Sequence, residues 1–132
     1  MASFTGLLDG PEQSRRSQLF IAGSGIVLGA LAALLGAVTH SGGIDGGATG
    51  LIVALLTVLL GSTAFMLLAG VSGWAAFGAG VLVTMALASA HSEGDAIGAL
   101  HGYSDWWFYG APAAIIVGAL LAWAGYAMVG RD

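Results

Sequence analysis

The chain has no cysteine, no lysine and no asparagine. Without cysteine there is no disulfide, no thiol nucleophile and no thiolate-ligated zinc or iron–sulfur centre. Without lysine, the fixed cations are Arg15, Arg16 and Arg131 alone. Three arginines cannot form the basic stripe of a nucleic-acid binder, whose affinity comes from neutralising several phosphates at once. Charged residues of both signs make up 8% of the chain, against about 25% in a soluble domain. So little charge cannot cover a water-facing surface. The missing lysine and the abundance of Ala, Gly, Leu and Val point to a GC-rich genome, and the acidic balance suits a halophilic prokaryote.

What fills the space is apolar: 58% of the 132 residues are hydrophobic. A hydrocarbon core about 30 Å thick is crossed by roughly 20 apolar residues in a helix. Four stretches meet that length, 20–39, 48–69, 74–90 and 111–129. None carries an ionisable side chain other than tyrosine, and each is apolar all round rather than on one face, the pattern of a membrane span. The connectors are short. Residues 40–47 (HSGGIDGG) and 70–73 (GVSG) are glycine-rich, and 91–110 forms the one long loop. Short links make successive helices antiparallel. The expected fold is therefore an all-α membrane protein, a single integral membrane domain (1–132) built as an up-down four-transmembrane-helix bundle.

Charge orients the bundle. Every arginine precedes the first span or follows the last, and the opposite side carries Asp45, Glu93, Asp95 and Asp105. The positive-inside rule then puts both termini, with the N-terminal segment 1–19, in the cytoplasm, and the loops 40–47 and 91–110 outside. Aromatic residues agree with the spans as interfacial anchors. Trp74, Trp123 and Tyr126 fall toward the inner interface, and Tyr103, Trp106 and Trp107 toward the outer one. Ser14-Arg15-Arg16 before an apolar run resembles a twin-arginine export signal. Gln18 breaks that pattern and the apolar run is long, so the segment is expected to remain as the first span. Pro112 is expected to start or kink the fourth span, after a short interfacial helix capped by Ser104 or Asp105.

A weak repeat runs through the chain. At an offset of 51 residues, His40-Ser41 matches His91-Ser92, and Gly29/Gly80, Ala37/Ala88, Gly43/Gly94, Gly47/Gly98 and Ala48/Ala99 are identical. The repeat would make the fold two tandem helical hairpins related by an axis along the membrane normal. In so Gly- and Ala-rich a chain, chance explains most of these matches, and only His-Ser carries much information.

Small residues recur every fourth position: Gly25, Gly29, Ala33 and Ala37; Ala76, Gly80, Thr84 and Ala88; Ala114, Gly118 and Ala122. Such stripes let helix backbones approach closely enough for dispersion contacts that lipid does not match. They serve packing within the chain or docking of another subunit. The second span is bulkier from Leu51 to Leu60 and is expected to face lipid.

Functional chemistry is sparse. His40, His91 and His101 fall on the outer side with Glu93 and Asp95, donors suited to zinc or another divalent metal. Paired histidines also ligate haem. Their spacing matches no metal motif, and a histidine at a helix C-terminus also simply favours the dipole. The spans hold hydroxyls such as Ser24, Thr39, Thr57, Ser62, Thr63, Thr84 and Ser89, but no embedded carboxylate of the kind coupled transporters and proton pumps use.

The reading that follows is non-enzymatic and needs no cofactor: an accessory or scaffold subunit of a larger membrane assembly, in a cell membrane or in the envelope of a virus. Its partners are the lipid bilayer and other membrane subunits or copies of itself, with no nucleic acid. The first alternative is a self-associating, holin-like pore. The second is a metal- or haem-binding membrane protein using the outer histidines.

Overall fold

The computed structural model describes residues 14–39, 45, 47–90 and 104–129. The described chain is helical. Helix α1 is Arg15–Thr39, α2 is Ala48–Ala90 and α3 is Ser104–Val129. All three are long and apolar enough to cross a membrane. Four separate helices were expected, and the second and third expected spans here form one 43-residue helix.

That helix is not straight. Gly70 has φ 65° and ψ −153°, a backbone conformation essentially reserved for glycine. Phe65 and Phe77 lie on either side of it with stacked rings, centroids 5.4 Å apart. In an unbroken helix residues twelve apart would be separated by about 18 Å along the axis. The Phe77 ring also covers Gly61, and Gly73 stands against Phe65 O. The chain therefore folds back at Gly70, and 48–69 and 71–90 pack as two limbs, here the first and second limbs of α2. The expected GVSG connector shrinks to one residue, because a single glycine in this conformation reverses the chain without unwinding its neighbours.

The main core draws on every helix. Ala32 and Ala33 of α1, Val58 and Phe65 of the first limb, Phe77 and Val81 of the second, and Trp107 and Ile115 of α3 are buried together. The second limb's neighbours are glycine-lined, so its backbone approaches α1 directly. The first limb was expected to face lipid. Instead Leu51, Ala54, Val58 and Ser62 are buried. They recur at helical spacing, so one face of this limb is central and the bulky Ile52, Val53, Leu56 and Leu60 occupy the outside.

Helix α3 begins seven residues before the expected fourth span. Pro112 sits inside it, where it cannot donate to the Phe108 carbonyl. Neither a separate interfacial helix nor a start at Pro112 is present in the described residues. The extra turns carry Trp107 into the core, where it is 2% exposed.

Candidate functional site: the helix crossings

Two crossings fix the bundle. In the first, α1 meets the second limb of α2. A Cβ built on Gly25 would lie 3.3 Å from Ala76 Cβ and 3.3 Å from Phe77 N. A Cβ on Gly29 would collide with the Phe77 carbonyl, and one on Gly80 with the Ile26 carbonyl. Gly25, Gly29, Ala33 and Gly80 are all buried. Absent side chains let two backbones touch, and dispersion is gained along the whole contact.

In the second crossing, the first limb of α2 meets α3. Ser62, fully buried, donates its hydroxyl to Ile115 O at 2.6 Å. Trp74 Nε1 donates to the same carbonyl at 3.0 Å. Thr63 Oγ1 donates to Leu59 O at 2.9 Å within its own helix and to Gly118 O at 3.1 Å across to α3. Gly118 is buried against Ser62 and Leu59 O, and Ala122 is buried beside Met66. Ala114, half-buried, packs at the edge of the main core.

These contacts are reciprocal. Gly29 faces the Phe77 carbonyl and Gly80 faces that of Ile26. Gly29 and Gly80 are 51 positions apart, as are Ile26 and Phe77. Across the second crossing, Ser62 reaches Ile115 O and Gly118 stands on Leu59 O. Ser62 and Gly118 are 56 positions apart, as are Leu59 and Ile115. If residue i meets j, the counterpart of j meets the counterpart of i, which is the signature of a two-fold contact. The 51-residue offset therefore relates α1 to the second limb of α2, and an offset of 56 relates the first limb to α3. The five extra residues fall in 91–103 relative to 40–47, and Gly94, Gly98 and Ala99 of the 51-residue repeat lie outside the described residues.

Other hydroxyls of the spans are bonded within their own helices. Ser24 donates to Ile21 O, Thr57 to Val53 O and Ser89 to Met85 O. Thr39 reaches Leu35 O at 2.7 Å and Gly50 O at 3.3 Å, tying the end of α1 to the start of α2. Among the described residues no buried side-chain N or O atom lacks a hydrogen-bond partner.

His40, His91, His101, Glu93 and Asp95 lie outside the described residues, as does Tyr103. No group of three metal-ligating side chains occurs among those described. Asp45 is in view, and it caps a helix. Its carboxylate accepts the Thr49 amide at 2.9 Å, the Thr49 hydroxyl and the Gly47 amide at 3.3 Å. The Thr49 hydroxyl and then its amide hold the Asp45 pKa below the ordinary carboxylate range. Gly47, at φ 98°, accepts the first helical bond from Leu51 N.

The aromatic residues divide. Trp106, Trp123 and Tyr126 are exposed, as interfacial anchors would be. Trp107 is not an anchor. Its indole fills the hollow left by Gly36 of α1, where any Cβ would strike the ring. Trp74 is half-buried and bonds inward to Ile115 O, so its role includes helix packing. Sequence reasoning missed the Gly36–Trp107, Gly61–Phe77 and Gly110–Leu55 contacts. A glycine opposite a large side chain has no signature until the register of the two helices is known.

No family model, no curated protein and no solved structure matches this chain.

Proposed function

We propose that the chain crosses the membrane four times, as two tandem hairpins related by a pseudo-two-fold axis along the membrane normal, with both termini cytoplasmic. The support is the reversal at Gly70 and the pair of reciprocal crossings. We propose further that it is a non-enzymatic structural subunit of a larger membrane assembly. One observation carries this reading: two hydroxyls of the spans, those of Ser62 and Thr63, are spent on bonds to the neighbouring helix. Ser62 is fully buried, and Thr63 is bonded to both Leu59 and Gly118. A holin-like pore needs hydroxyls on a shared outward stripe, and these two serve packing instead. What remains outside is large and apolar, from Leu35 and Val38 of α1 to Leu60 of α2 and Ile116 and Leu120 of α3. Such a surface meets lipid or another membrane protein.

The native mass of the protein, extracted gently from its own membranes, tests the reading. A stoichiometric protein partner is the expected result. A homo-oligomer alone would favour the pore. A small excess mass matching a metal or haem would favour the histidine site.

A further inference from the structure

The first crossing does not keep α1 and the second limb of α2 together along their full length. Toward the Gly70 end a cleft of 280 Å³ opens between them. Arg15 and Gln18 stand among its lining, with Ile21, Ala22, Ser72 and Gly73. Ile21 and Ser72 are 51 positions apart, and so are Ala22 and Gly73. This is the register that pairs Gly29 with Gly80. The cleft therefore continues the two-fold contact past the point where the helices diverge. Small side chains hollow it, since Ala22, Ala69 and Gly73 leave space that neither helix fills. Ser72 does not reach into it as a free donor, because its hydroxyl is bonded to Ala69 O at 3.0 Å.

The polar groups of this cleft are a guanidinium and an amide. Arg15 is exposed and makes no ion pair among the described residues. The carboxylates described, Asp45 and Asp105, stand at the far ends of α2 and α3. Depth matters as well. Arg15 precedes the apolar run that begins at Phe20 by five residues, about 7.5 Å of helix. That places the guanidinium at headgroup level when the run fills the hydrocarbon core. Apolar walls with a cation at that depth suit an amphiphile with an anionic head. Water would gain few hydrogen bonds over such walls.

We infer that this cleft seats an anionic glycerophospholipid. The Arg15 guanidinium takes the phosphate in charge-assisted hydrogen bonds. The Gln18 amide donates to a phosphate or ester oxygen. Leu19, Ile21 and Ala22 line the path of the first acyl methylenes. The inference rests on the membrane reading above.

The test uses the full chain in nanodiscs, with phosphatidylglycerol and phosphatidylcholine of identical acyl chains as probes. Native mass spectrometry counts retained lipid, and thermal unfolding reports stabilisation. The wild type should retain phosphatidylglycerol roughly tenfold better: both heads offer a phosphate, but the choline ammonium offsets its charge and repels the Arg15 guanidinium. Arg15→Gln should abolish the preference. Arg16→Gln removes the same charge one residue away, outside the cleft lining, and should keep it. Ala22→Leu, which fills the cleft and leaves every charge in place, should lower retention of both lipids. Equal losses in the two arginine variants would mean diffuse surface charge and overturn the site. So would equal retention of both lipids by the wild type. Destabilisation by Arg15→Gln that is independent of headgroup charge would overturn it in favour of a contact within the chain. A protein that fails to enter bilayers at all would sink the membrane reading itself, a result distinct from loss of lipid preference.

Discussion

At the scale of single residues, glycine is the specific element of this structure, and its importance depends on what it faces. Gly29 and Gly80 each face a carbonyl of the opposite helix, whereas Gly23 has nothing within 4 Å. Gly29→Leu and Gly80→Leu should each destabilise the fold by about 1–3 kcal/mol through overpacking. Because the contacts are reciprocal, the two losses should be similar, and Gly23→Leu should cost little. Reversible unfolding in mixed micelles compares the three variants, and a Gly23 variant as unstable as the others would remove the crossing from the account. Asp45 makes a pH-dependent prediction. Its three hydrogen bonds favour the charged form, so its folded pKa lies below the unfolded one. The cap therefore stabilises the fold above the ordinary aspartate pKa of about 3.9 and weakens as the pH falls from there through the folded value. An NMR titration of the Gly47 and Thr49 amides should show a midpoint below that of a free aspartate, and Asp45→Asn should erase it. A midpoint at or above the free value would show that the cap does not form.

At the scale of elements, the decisive feature is the reversal inside α2. Its 43 residues would span about 65 Å if straight, roughly twice a bilayer core. Gly70 alone leaves helical geometry, and its conformation excludes a Cβ at low strain. Gly70→Ala should destabilise the hairpin by about 1–3 kcal/mol, measured by the same unfolding assay. An alanine variant of unchanged stability would mean that the chain turns differently. The amino-acid sequence marks this place clearly, since GVSG separates two apolar runs. It does not show that one residue suffices, because Val71 and Ser72 suit a loop or a helix equally well. The start of α3 was hidden for a similar reason. Trp106 to Tyr109 reads as interfacial belt, and only the hollow at Gly36 draws Trp107 inward.

At the scale of the whole molecule, the proposed topology makes the two hairpins a covalently linked pair. Gly25 and Ala76, the residues closest to the proposed axis, should accept a disulfide. A Cβ on Gly25 lies 3.3 Å from that of Ala76, near the 3.5–4.5 Å typical of a disulfide. The natural chain has no cysteine, so Gly25→Cys with Ala76→Cys gives a clean background. Oxidation in membranes should consume both thiols within one chain, read as loss of maleimide labelling with no dimer on a gel. Dimers in place of that product would assign the crossing to two different molecules. The native-mass measurement belongs to this scale too, because a partner would meet the large apolar residues left on the outside.

The sequence by itself determined that the helices would be long and apolar enough to cross a membrane, where the apolar runs fall, and the small-residue stripes. These follow from composition and spacing, which need no partner to be read. It also carried a trace of the 51-residue register in Gly29 and Gly80, although one constant offset could not describe the 56-residue register of the other crossing. Tertiary structure alone decided which small residues face each other, which limb is central and which tryptophan is buried. Those outcomes depend on the register between helices, and register is set by mutual fit: a carbonyl over a glycine, a hydroxyl on a carbonyl, an indole in a hollow. An apolar helix is compatible with many neighbours until such contacts select one.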